Sequence, residues 1–178
     1  MRKLSLVAAV LVCFAAAFTV ESATKATGTL KVSSPGVALE LKIGEKPAPV
    51  PNGKEFPVPA GTYATARITC AAKSTKAPPE IWTIKSTGPF GKLTQIIVAE
   101  GQLTDIEAGP PFTLKVSVSN PTATGGKPVL IGMTIVGKSN EVYAANTLLR
   151  GQSVAPPPQI KIVDEKGTTL ATGNFEYG

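Results

Sequence analysis

The sequence predicts an all-β protein, two small β-sandwiches behind a cleaved leader. Three observations carry that reading. Prolines and glycines, 16 and 17 of them in 178 residues, interrupt the chain every few positions. Between them lie short stretches rich in β-branched residues, several alternating apolar and polar. No long segment carries a helical period, so many short strands are expected.

The leader comes first. Met1-Arg2-Lys3 is positive, Leu4 to Val20 is apolar and uncharged, and Glu21-Ser22-Ala23 breaks the run. Charge, apolar stretch and small residues in that order mark residues 1–22 as a signal peptide. Cleavage is expected after Ser22, with a cut after Ala23 as the alternative. A retained anchor is the competing reading, because a run of seventeen lies at the lower limit for crossing a bilayer. A lipid-modified Cys13 would need a small residue before it, and Val12 is not small. The chain is therefore expected to be exported to the periplasm, cell surface or exterior, with no membrane span after cleavage.

In the first unit, residues 23–108, Thr27 to Ser33 is a first strand. Val37 to Ile43 (VALELKI) sets Leu39, Leu41 and Ile43 on one face against Glu40 and Lys42 on the other, a strand with one wet face. Gly44 to Gly53 reads as a proline-broken loop. Glu55 to Val58 reads as an edge piece, since Pro57 cannot donate to a ladder. Thr62 to Ala71 reads as a strand with Tyr63, Thr65, Arg67 and Thr69 outward and Cys70 on the apolar side, where a thiol behaves as a small buried hydrophobe. Glu80 to Lys85 carries Trp82; Lys92 to Ala99 and Leu103 to Glu107 follow.

Gly109-Pro110-Pro111 is the expected boundary to a second unit, residues 109–178. Phe112, Leu114, Val116 and Val118 alternate with Thr113, Lys115 and Ser117 and are expected to point inward. Asn120 to Lys127 is a loop. Val129 to Val136 is apolar on both faces, as a strand covered on both sides would be. Glu141 to Ala145 is a further strand, Ala155 to Pro158 a polyproline spacer. Gln159 to Val163 and Thr168 to Thr172 form a hairpin around Asp164-Glu165-Lys166-Gly167.

Two stretches resemble known families. Gly28-Thr29-Leu30-Lys31-Val32, Pro35-Gly36-Val37 and Val58-Pro59-Ala60-Gly61-Thr62-Tyr63 together look like the exported β-modules of the PEGA and carboxypeptidase-regulatory-like (transthyretin-like) type. The match covers Gly28 to Cys70 and lacks the tight Asp-Gly hairpin common in those modules. Asp164 to Gly173 (DEKGTTLATG) is similar to the terminal hairpin of bacterial immunoglobulin-like domains. These resemblances imply a transthyretin-like or PEGA-like β-sandwich followed by an immunoglobulin-like one, with an accessory, adhesive or structural role. They carry no catalytic residues to transfer.

The chain contains no histidine. That removes Ser-His-Asp and Cys-His nucleophilic machinery, imidazole acid–base chemistry and His-held zinc or copper. Asp105 with Glu107, and Asp164 with Glu165, are the candidate paired carboxylates, better explained as surface and turn residues. Gly125-Gly126-Lys127 lacks the upstream glycine and following Ser/Thr of a phosphate loop. Net charge is +6, but the lysines are scattered singly, which argues against nucleic acid. Trp82, Tyr63 and Tyr143 are the candidate ligand-binding residues, as exposed aromatics can form sugar platforms. For Trp82, core packing is the stronger expectation.

The function expected is a non-enzymatic structural or protein-interaction module of the cell envelope or exterior, without cofactor or metal. Its partner would be an envelope protein or polysaccharide. The alternative is a carbohydrate or small-ligand binding module using those aromatics.

Overall fold

A computed structural model describes residues 26–119 and 130–176. The expected leader at 1–22, Cys13 and the Gly125-Gly126-Lys127 turn lie outside the described residues. The described residues hold no α-helix, and no helix among them is long and apolar enough to cross a membrane.

The first half supplies eight strands: β1 (Thr27–Val32), β2 (Val37–Ile43), β3 (Lys46–Val50), β4 (Glu55–Pro59), β5 (Gly61–Lys73), β6 (Ile81–Ser86), β7 (Gln95–Val98) and β8 (Leu103–Ile106). The second supplies β9 (Thr113–Ser119), β10 (Leu130–Val136), β11 (Val142–Tyr143), β12 (Leu149–Arg150), β13 (Ser153–Val154), β14 (Gln159–Val163) and β15 (Thr169–Asn174). Two short 3-10 turns, Gly91–Leu93 and Ala145–Thr147, lie between strands.

These strands form an antiparallel sheet in the order β13-β12-β6-β5-β2-β3, with β7 also paired to β5, and a mixed sheet β4-β1-β8 in which β1 and β8 run parallel. The inward faces share one core. Leu30 and Val32 of β1, Val58 of β4 and Ile106 of β8 join Leu39, Leu41, Ile68, Ile84, Ile96 and Val98, all buried. Burying each such side chain fully is worth about 1.5–3 kcal/mol.

Three expectations for this half are corrected. Residues 46–50 are not loop: Gly44, at φ +67°, turns the chain so that Ile43 pairs with Lys46, and β3 lies along β2. Pro47 and Pro49 are tolerated because β3 is the outer strand of its sheet. Second, β5 does not alternate throughout. Arg67 pairs with Glu40 but Thr65 with Leu41, so Ala66 is an extra residue, a bulge that exchanges the faces. Thr65 is consequently buried, giving its hydroxyl to the Leu93 carbonyl, and Tyr63 packs against the core instead of facing water. Third, the segment from Lys92 to Ala99 is a strand only from Gln95 onward, a 3-10 turn preceding it.

Beyond Gly109 the chain does not separate from this core. No strand crosses Gly109-Pro110-Pro111, yet β12 hydrogen-bonds to β6 (Leu149 with Thr83, Arg150 with Trp82), and Ile135 and Tyr143 belong to the shared core.

The ribbon β9–β10 is antiparallel, with Leu114, Val116 and Val118 opposite Ile135, Met133 and Ile131. The alternation of β9 is as expected; its burial is not. Phe112, Leu114, Val116 and Val118 are 39%, 60%, 63% and 65% exposed. In β10, Ile135 and Val136 are buried and the rest exposed or half-buried, so it is not covered on both sides. Among the described residues of the ribbon's two strands, the buried ones, Ile135 and Val136, lie at its root. Across from its apolar face, Ile160 and Ile162 of the β14–β15 hairpin line the other wall of an open cleft of about 650 Å3. That hairpin forms where expected, its turn held by Asp164, whose Oδ1 accepts the N–H groups of Lys166 and Thr168.

Candidate functional site

Trp82, for which core packing is the stronger expectation from sequence, lies outside the shared core and within reach of solvent. It is half-buried on β6, on the same face as Glu80 and Ile84. The pairing of β12 with β6 sets Arg150 opposite it, and the guanidinium carbon lies 5.9 Å from the indole centroid, within cation–π range. Arg150 Nε also donates to Glu80 Oε2 at 2.6 Å, and this bond lowers the Glu80 pKa and raises that of Arg150. Trp82 borders two hollows. One, of about 400 Å3, opens toward Lys73, Lys76, Glu80 and Arg150. The other, of about 120 Å3, is predominantly apolar.

The other two aromatics are committed elsewhere. Tyr63 packs its ring on the core and donates its hydroxyl to the Pro59 carbonyl at 2.5 Å. Tyr143, expected beside a loop and open to ligand, is 2% exposed. Its ring meets Phe112 edge-on at 5.0 Å, and its hydroxyl donates to Glu141 Oε1 at 3.0 Å. The structure therefore does not bring Trp82, Tyr63 and Tyr143 into one site.

What it assembles instead is a buried polar group that spacing did not reveal. Glu141 is 0% exposed. Its Oε1 accepts from Gly109 N–H at 2.5 Å as well as from Tyr143, and its Oε2 accepts from Ser139 N–H at 2.8 Å. Three donors satisfy the carboxylate, as a buried acid requires. Cys70 completes the set, its Sγ donating to the Tyr143 hydroxyl at 3.2 Å. Burial pushes the Cys70 thiol up, and burial together with the neighbouring Cys70 and Glu141 pushes the Tyr143 phenol well up. Both are neutral at ordinary pH. A protonated thiol beside a phenol is no activated nucleophile.

Two glycines make room for this group. A Cβ on Gly137 would collide with the Glu141 carboxylate, and one on Gly109, at φ +78°, would come within 2.9 Å of Cys70 Sγ and Val37 Cγ2. An isolated Glu before a Val-Tyr pair carries no sequence signal for this role; the two glycines flanking β9 and β10 are the nearest thing to one.

The candidate carboxylates have separate partners, and Asp164 caps its own turn. Asp105 accepts from the Ser33 hydroxyl at 2.5 Å, whereas Glu107 bonds Lys138 Nζ at 2.6 Å. Among the described residues no group of His, Cys, Asp and Glu is placed to hold a metal ion. Comparison of the chain with family models, with curated proteins and with solved structures finds no match.

Proposed function

We propose that this protein is an exported, non-enzymatic interaction module of the cell envelope or exterior, and that it holds a partner protein on the apolar face of the β9–β10 ribbon. The carrying observation is the contiguous exposure of Leu114, Val116 and Val118 opposite the β14 isoleucines. Soluble monomers rarely leave such a patch without use, and a patch facing a cleft suits an extended apolar segment. The shared core of the β4-β1-β8 and β5-centred sheets supports a transthyretin-like sandwich as the rigid platform. The resemblance of Gly28 to Cys70 supports the same assignment, and the leader supports export.

The test is capture from the envelope fraction by the immobilised protein, alongside Leu114→Lys and Val116→Lys. These variants keep the wild-type melting temperature and release the partner. Equal retention by all three would sink the reading. Export is checked by sequencing the mature N-terminus, expected at Ala23 or Thr24.

A second reading rests on Trp82. Its indole, with Arg150 over it and Lys73 and Lys76 beside the open hollow, is suited to stacking a sugar or binding an anionic saccharide. Trp82→Ala would then abolish polysaccharide retention and leave protein capture unchanged.

A further inference from the structure

We propose that the apolar hollow beside Trp82 is a binding site for one small neutral aromatic ring, a site separate from the ribbon face. Its walls come from five parts of the chain: Pro35 ahead of β2, Cys70 on β5, Trp82 and Ile84 on β6, Phe112 ahead of β9, and Leu148 ahead of β12, with Ala72 of β5 at the rim.

Size selects the ligand. The hollow measures about 120 Å3, slightly below the apolar cavity of about 150 Å3 that takes up benzene, so its scale is that of a single ring and not of a disaccharide. Chemistry narrows it further. None of the residues lining the hollow is charged, so an ion entering would lose its hydration without a partner. Two of the walls are aromatic and held in place: Trp82 by Arg150, and Phe112 by its edge contact with Tyr143. Rings fixed in this way offer offset or edge-to-face packing to a third. Cys70 sends its proton to Tyr143 and so presents polarisable sulfur, favourable against a ring edge. With its pKa raised by burial, the thiol does not capture the ligand covalently.

The test uses toluene as probe, glucose as the polar control, and the full chain. Trp82, the single tryptophan, reports through its emission. Cys70 reports through its alkylation rate, read at that peptide by mass spectrometry. Toluene at ten times its Kd is expected to shift the emission and slow Cys70 alkylation about tenfold, because the site is occupied in proportion to ligand over Kd. Glucose should do neither. Ala72→Leu, which fills the rim from an exposed position, should abolish both effects. Phe112→Leu removes one ring wall, keeps the reporter, and should weaken toluene several-fold. An emission and an alkylation rate that stay unchanged up to saturating toluene would overturn the proposal. So would an undiminished response in Ala72→Leu, which places the toluene elsewhere, or protection by glucose instead.

Discussion

Residues 37–43 (VALELKI) and 112–118 (FTLKVSV) alternate equally well, yet they end in opposite surroundings. Leu39 and Leu41 are at most 1% exposed, whereas Val116 and Val118 are over 60% exposed. The difference lies in what surrounds each strand. β2 is flanked by β3 and β5, and its inner face meets β1. β9 has β10 on one side, and its apolar face looks across a cleft at another thin ribbon. Alternation encodes a pleat with two unlike faces; whether the apolar face is covered depends on a second layer elsewhere in the chain.

The comparison is broken most forcefully in the core. Leu41→Ala should destabilise the protein by about 2–5 kcal/mol, the range for a deeply buried leucine, measured by urea unfolding. A loss below about 1 kcal/mol would mean the core is not continuous there. Glu141→Gln tests the junction between the two regions. The substitution sets an amide NH2 among donors that need an acceptor, and should cost about 2–3 kcal/mol. Hydrogen exchange should quicken in β9, β10 and β11 before it does in β2. Uniform acceleration would show that the ribbon is not held through this carboxylate.

Alkali probes the same junction without mutation. The folded protein keeps protons on Cys70 and Tyr143 that the unfolded chain releases. Stability is therefore full below the unfolded values and falls as pH rises through about 8.5–10, by about 1.4 kcal/mol per pH unit for each ionising group. Tyr143→Phe should flatten the decline; an unchanged slope would remove Tyr143 as its source. The smallest effect belongs to the ribbon: Val116→Ser should change stability by less than about 0.5 kcal/mol while reducing partner capture. A loss comparable to that of Leu41→Ala would show the face to be packed in solution.

Much of this architecture was legible in the sequence. The alternation of Leu39, Leu41 and Ile43 placed β2 residue for residue, and Asp164 with Gly167 marked the hairpin turn. Cys70 could be assigned to the apolar side from its neighbours. Four things were hidden, each for a physical reason. A bulge at Ala66 costs one residue and has no compositional mark, so alternation alone places Tyr63 and Thr65 on the wrong face. Pro47 and Pro49 read as loop because their tolerance depends on β3 being outermost, a property of topology. Glu141 and Tyr143 gain their burial from Gly109 and Cys70, far away in the chain, and no local pattern announces such a meeting. Trp82 was reached by its residue type, but the Arg150 that covers it arrives with the short strand β12, too brief to carry a period.

Glu141 bonds Gly109 just before β9 and Ser139 just after β10, so a single side chain ties the two legs of the ribbon together at their root. The Lys138 N–H adds a second tie, to the Gly109 carbonyl. Tension applied at the far end, where Ser119 pairs with Leu130, therefore runs down both strands at once. The ladder between β9 and β10 is spared from sliding, and the pull reaches the body through two anchored legs.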